Sequence, residues 1–260
     1  MTDPLIRLDR HDSGVAEVVL NRPEAMNAVS TAMAEALTTV GEELRADTSV
    51  RAVVVTSSHE KAFCVGADLK ERDGFSDDDL RAQRPGNRLA YRALYDLAVP
   101  TIAAVDGHAL GGGCEIALAC DLIVAGPRAS FALPEVSVGV IPGGGGTQLL
   151  TRRIGWSRAA DLIFTARRIT GEEGARLGLV DRLVEDAKGE ALALADTIAQ
   201  HSPIGVRNAK TAMRGGLDVS VDDGLDIEDA RWHDTAFSAD RAEGVRAFAE
   251  KRKPSWPGLG

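Results

Sequence analysis

The sequence predicts an α/β protein with a helical C-terminal part, and three observations carry that prediction. Short apolar runs rich in β-branched residues alternate with helix-spaced stripes through the first two-thirds of the 260 residues. Almost every segment after residue 147 reads as helix. Neither a fixed-period repeat nor a Pro- or Ser-rich linker divides the chain, so a core over 1–200 and a helical part over 201–260 are expected to form one cooperative unit.

The first strand expected is "GVAEVVLN", Gly14–Asn21, closed by Arg22-Pro23 because the residue before a proline is pushed out of the helical region. From Ser30 to Ala46, Met33, Leu37, Val40 and Leu44 recur at helical spacing. "RAVVVTSS", Arg51–Ser58, has the unbroken apolar character of a buried parallel strand, and "AFCVGADLKE" follows it directly. Gly74–Gly86, with "SDDDL" and "RPG", is expected as a mobile surface excursion. Asn87–Leu97 is expected as a helix that Pro100 ends.

Thr101–Val105 and Leu122–Gly126 are the third and fourth expected strands. Ala129–Leu150 mixes a strand, two prolines and a four-glycine run. Beyond it, Thr170 and Glu173 form a capping box in "TGEE", with Gly178 placed as the C-cap. Glu190–Gln200, Val221–Ala236 and Asp240–Arg252 complete the expected helices, and Pro254 stops the last.

Composition narrows the function class. With 44% apolar and 27% charged residues, and no run of uncharged apolar residues long enough to span a bilayer, no membrane association is expected. The first residues, "MTDPLIRLDRHDSG", lack an apolar core and carry Asp3 and Asp9, unlike a secretory or transit peptide, so a cytoplasmic location is expected. Three cysteines (Cys64, Cys114, Cys120) cannot all pair, and no C-x-x-C occurs, so free thiols and no metal site are expected. A net charge of −9 argues against nucleic acid as a partner, while a local basic patch for a phosphorylated ligand remains compatible with it.

The familiar catalytic motifs are missing. No P-loop, G-x-G-x-x-G, G-x-S-x-G or H-E-x-x-H occurs, and the five histidines are scattered as surface or loop residues. Glycines and carboxylates are left. In "VDGHALGGGCEIALACDLIVAG", Gly111–Gly113 follow a strand and precede a helix. Their bare N–H groups suit a developing oxyanion, or the glycines simply let strand and helix pack closely. "CVGADLK" supplies a second such turn at Gly66-Ala67, and two converging N–H groups would hold a thioester-like carbonyl oxygen.

Glu115 lies one turn into that helix, and Glu135 follows twenty residues later in "FALPEVSVGVIPGG". Taken singly, each is a solvated or ion-paired residue or a catalytic one. Brought to one water in apolar surroundings, two carboxylates cannot comfortably both ionise, which makes one an acid and the other a base.

These stretches together closely resemble the enoyl-CoA hydratase/isomerase (crotonase) family. The resemblance rests on "AFCVGADLKE" (Ala62–Glu71), "VPTIAAVDGHALGGGCEIALACD" (Val99–Asp121) and "FALPEVSVGVIPGGGGTQLL" (Phe131–Leu150). It extends through "VVLNRPEAMNAV", "ITGEEGARLGLVDRLV" and "RAEGVRAFAEKRKPSW", so it covers essentially the whole chain. "LAVPTIAAVDGHALGGG" and "IPGGGGTQ" lean toward the branch with 3-methylglutaconyl-CoA hydratases.

The resemblance implies a spiral of ββα turns with a helical C-terminal trimerisation part, assembled as a homotrimer or homohexamer. It implies a lyase of fatty-acid and lipid metabolism that adds water across the C2=C3 bond of an acyl-CoA thioester, with no cofactor beyond the coenzyme A of the substrate. The N–H groups of Ala67 and Gly112 would form the oxyanion hole. Glu115 would deprotonate the water, Glu135 would protonate C2, and the Gly143 N–H would position the second carboxylate. Arg22, Glu24, Ala25 and Met26, with Ala62, Ala67, Asp68, Leu69 and Lys70, would hold the CoA arm and adenine. Phe248 and Lys251 would reach a neighbouring subunit's CoA phosphates. Read alone, "EKRK" (Glu250–Lys253) is a basic helix end that complements the macrodipole. An enoyl-CoA isomerase, or a CoA-thioester binder without chemistry, are the rival readings.

Overall fold

The computed structural model describes residues 3–258. Strands β1 (Ile6–Arg10), β2 (Val15–Leu20), β3 (Ala52–Ser57), β5 (Thr101–Val105), β7 (Leu122–Ala125) and β10 (Arg182–Leu183) form one sheet in the order β1-β2-β3-β5-β7-β10. Only β1 runs antiparallel to its neighbour. A smaller sheet takes β4 (Ala62–Cys64), β6 (His108–Leu110), β8 (Ser130–Ala132) and β9 (Ile169–Thr170) in that order.

The chain visits the large sheet, then the small sheet, then a helix, and repeats. β3 and β4 lead to α2 (Leu69–Arg72) and α3 (Asp77–Tyr95). β5 and β6 lead to α4 (Gly112–Ala119), and β7 and β8 lead to α5 (Gly146–Ile154). Each turn lays its strands beside those of the turn before, in parallel. That is the ββα spiral the resemblance implied. Full burial of β2 and β5 explains their unbroken apolar runs, because a parallel strand is covered on both faces.

α1 (Thr31–Ala46) starts where Ser30 caps the Met33 N–H, and it buries Met33, Leu37 and Leu44. α6 (Trp156–Thr165) and α7 (Gly171–Leu177) precede α8 (Ala187–Ala199), which lays Ala187, Ala191 and Ala195 against Val54, Ile102 and Val124 of the large sheet. α9 (Pro203–Gly215), α10 (Val221–Ala236) and α11 (Ala239–Ala249) form the helical end.

Several expectations need correction. The segment expected as a mobile excursion is the first half of α3. Ser76 and Asp79 close a reciprocal capping box at its start, and Asp77–Asp79 sit at the positive end of the helix, where acids stabilise it. Pro85 lies inside this helix, which is why "RPG" resembled a break. β1 was missed because its charged residues face solvent on a half-buried edge strand. In "TGEE", Thr170 accepts the Glu173 N–H at 3.2 Å, but the Glu173 carboxylate turns to Arg167 at 2.8 Å and leaves the box half made.

Candidate active site

Two strand ends of the small sheet supply the glycine turns. β6 runs into Gly111 (φ +50, ψ −123), a conformation that L side chains rarely adopt, and α4 begins at Gly112. β4 runs into Gly66 (φ +92) and Ala67. The turns abut: a Cβ added to Gly66 would lie 3.0 Å from the Gly112 nitrogen. Among the described residues, neither the Ala67 nor the Gly112 N–H donates to a protein acceptor, and both residues line one cavity of about 650 Å³. The neighbouring glycine plays another part. A Cβ on Gly113 would collide with the Cys64 carbonyl oxygen, so close packing is its role.

The acids share the cavity. Glu115 is 2% exposed, and its Oε1 accepts the N–H groups of Gly144 at 2.6 Å and Gly146 at 2.8 Å, at the start of α5. Burial raises its pKa above the usual carboxylate range, while those amides and the charge of Arg84 draw it back. Glu135 opens a 3₁₀ turn, Glu135–Val138, and among the described residues its buried Oε2 has no hydrogen-bond partner. Burial, with the charge of Glu115 adding to it, pushes this carboxyl up to about 7. The donor-rich acid is thus suited to stay ionised and the donor-poor one to hold a proton.

Gly143 lines the cavity, but the expected contact to Glu135 is not formed. The amides that reach a carboxylate are those of Gly144 and Gly146, and they reach Glu115, because α5 begins beyond Gly143 and aims its first N–H groups at α4.

The two segments expected to hold the CoA arm are joined. Arg22 donates to Asp68 Oδ2 at 2.6 Å, and the Val65 N–H donates to the Met26 carbonyl at 3.3 Å. Asp68 caps α2, so it orders the segment that carries Ala67, Leu69 and Lys70. Ala67 and Leu69 line the cavity, while Lys70, Glu24 and Met26 are exposed and Ala25 is half-buried. Ala62 is fully buried and its carbonyl accepts the Ser57 hydroxyl at 2.6 Å, so its side chain cannot touch a ligand. Phe248, at the end of α11 and 87% exposed, and Lys251 lie outside this cavity. Arg252 is engaged by Glu243 and Glu250, so the basic helix end is partly neutralised within the chain.

Residues that sequence reasoning missed come mainly from α3. Arg84, Asn87 and Tyr91 line the cavity, as does Arg72 at the end of α2. A Cβ on Gly112 would collide with the Tyr91 hydroxyl, which places that phenol beside the proposed amide donor. Following the four-residue spacing from Tyr91 back through Asn87 to Gln83 would have exposed this face.

The chain matches the family model described as enoyl-CoA hydratase/isomerase over residues 10–258. The probable mitochondrial enoyl-CoA hydratase 2 of Arabidopsis thaliana is 41% identical over 98% of this chain and 85% of the plant protein. The mitochondrial methylglutaconyl-CoA hydratase of Homo sapiens is 39% identical over 96% of this chain and 76% of the human one. A crystal structure of the enoyl-CoA hydratase of Bacillus anthracis superposes with a TM-score of 0.95 at 39% identity, covering 98% of this chain and 99% of that one. On a match that runs nearly end to end in both sequence and fold, this chain belongs to the enoyl-CoA hydratase/isomerase family.

Proposed function

We propose that this enzyme adds water across the C2=C3 bond of a 2-enoyl-CoA thioester to give a 3-hydroxyacyl-CoA. The carrying observation is the convergence of two bare amides, Ala67 and Gly112, and two acids, Glu115 and Glu135, on one cavity. Hydratase names among relatives and solved structures support the same reading.

In this mechanism the amides hold the thioester oxygen and draw electron density from C3 as an enolate forms. Glu115, ionised and fixed by Gly144 and Gly146, takes a proton from water while the water oxygen bonds to C3. Glu135 delivers its proton to C2 as the enolate collapses. Coenzyme A enters with the substrate, and the Arg22–Asp68 pair orders the segments placed for its arm.

The test is spectroscopic. Mixed with crotonyl-CoA, the protein should remove the conjugated-thioester absorbance and yield 3-hydroxybutyryl-CoA. No loss with any enoyl-CoA would defeat the reading. An isomerase would instead favour a 3-enoyl-CoA and tolerate loss of Glu115, and a mere binder would hold acyl-CoA without turnover.

A trimer or a hexamer is part of the proposal. Met213, Val221, Trp232, Phe237 and Phe248 of the helical end are each more than 60% exposed, an apolar surface suited to burial between copies.

A further inference from the structure

The hydroxyl of Tyr91 takes no part in the hydration steps above, yet it stands where the two glycine turns meet. Tyr91 is 8% exposed near the C-terminal end of α3, and it lines the cavity with Gly112, Glu115, Glu135 and Gly144. The point that a Gly112 Cβ would occupy lies 2.2 Å from the phenol oxygen. The same point is 3.5 Å from Cα of Gly66, which is one carbonyl before the Ala67 N–H. The hydroxyl therefore borders both turns that offer a bare amide. The ring is braced as well, since a Cβ on Gly144 would fall 2.6 Å from its Cδ2. Gly144 is itself fixed by its N–H bond to Glu115 at 2.6 Å.

This hydroxyl has a proton to share and no protein group to receive it. Among the described residues it makes no hydrogen bond, and neither Glu115 nor Glu135 accepts from it, although both line the same cavity. Burial first, and the charge of Glu115 second, raise its pKa above the ordinary phenol value. At neutral pH it is thus an uncharged O–H donor, able to meet an oxygen that turns negative. A phenylalanine would brace Gly144 equally well, so packing alone does not account for the phenol oxygen.

We propose that the Tyr91 hydroxyl is a third donor to the thioester oxygen, joining the Ala67 and Gly112 amides as that oxygen becomes negative. The assignment rests on the hydratase reading and adds a catalytic residue to its site. The phenol keeps its own proton throughout: water gives one proton to Glu115, and Glu135 delivers another to C2. The same hydroxyl explains why position 112 is glycine, because a side chain there would displace the donor.

The experiment compares the wild type with Tyr91→Phe, which removes the oxygen and keeps the ring against Gly144. Hydration of crotonyl-CoA should lose about tenfold or more in kcat, with KM little changed. Acetoacetyl-CoA supplies the second readout, because its enolate places part of its charge on the thioester oxygen and absorbs in the ultraviolet. On the wild type, the pH midpoint of enolate formation should lie below that of free acetoacetyl-CoA. Tyr91→Phe should raise the bound midpoint by about one pH unit or more, the equivalent of that tenfold loss. The charged side chains that line the cavity, Glu115, Glu135, Arg72 and Arg84, are the same in both proteins, so the difference reports the hydroxyl. An unchanged kcat overturns the proposal, as does a wild-type midpoint no lower than the free value. An unmoved midpoint overturns it even where the reaction slows, because the phenol would then act on Glu115 or on the water. Should the wild type hydrate no enoyl-CoA, the hydratase reading fails, and the midpoint alone decides whether the hydroxyl holds a thioester oxygen.

Discussion

The two acids proposed for catalysis differ in what surrounds them more than in how deeply they lie. Among the described residues, Glu115 has two amide donors on one oxygen, and Glu135 has a buried oxygen with none. The sign of the pH dependence follows. The acid that protonates C2 must carry its proton, so kcat/KM should fall as pH rises through the raised value of Glu135, about 7. The base must be ionised, so activity should also fall at low pH, where Glu115 takes up a proton. A pH–rate profile with crotonyl-CoA should therefore be bell-shaped, with limbs that belong to the coupled pair. A flat profile from pH 6 to pH 9 would contradict the assignment of Glu135 as the acid.

The three consecutive glycines also divide by role. Gly111 supplies a turn at positive φ, Gly112 a bare amide and Gly113 a close approach to β4. Gly113→Ala should push α4 off the Cys64 carbonyl, costing about 1–3 kcal/mol or more and lowering Tm by roughly 3 °C or more. Because the Gly112 N–H moves with the helix, kcat/KM should fall too. Thermal unfolding and kinetics on one preparation check both. A variant with unchanged Tm would show that the packing is looser than described.

At the scale of elements, the strand–glycine–helix turns and both acids were legible because each is a local pattern. Strand, turn and helix start lie within ten residues for Gly66-Ala67 and again for Gly111–Gly113. α3 was not legible, because its acids and Pro85 look like a loop until Ser76 is recognised as a cap. With α3 unrecognised, Arg84, Asn87 and Tyr91 were lost from the site. The exchange of Gly143 for Gly144 and Gly146 is a matter of register, set by where α5 begins and not by any residue type.

The helical end is held to the sheets by a charged cluster that no sequence spacing announces. Lys210 on α9 is 9% exposed and donates to the Val99 carbonyl at 2.7 Å and to Asp121 at 2.7 Å. Arg214, one turn on, meets the other Asp121 oxygen at 2.7 Å. Burial would raise the Asp121 pKa, but Lys210 and Arg214 outweigh it and hold the carboxyl below its ordinary range. Its contribution is therefore present above the unfolded value and is lost as pH falls through the folded one. Lys210→Met should cost about 2–4 kcal/mol in urea unfolding at neutral pH, with an unchanged m-value. A loss under about 0.5 kcal/mol would mean that α9 is anchored by packing alone.

For the whole molecule, the spiral explains why one chain can assemble a site from four distant segments. Parallel stacking of successive turns brings the ends of β4 and β6 side by side, and α4 and α5 then place Glu115 against the glycine run. Alternating apolar runs and helical stripes announced an α/β chain with a helical end, and the family resemblance implied the spiral, while the exposed apolar face of α9–α11 becomes apparent only in three dimensions. Light scattering should give three or six times the 27.5 kDa chain mass, and a monomer at micromolar concentration would contradict the proposed assembly.

The central claim is that two amides and two carboxylates act on one thioester and one water. Hydration of crotonyl-CoA by the wild-type protein, Glu115→Gln and Glu135→Gln tests it most directly. The account predicts turnover by the wild type and a loss of kcat of at least about a hundredfold in each variant, with KM changed only modestly. A variant that keeps wild-type kcat would contradict it.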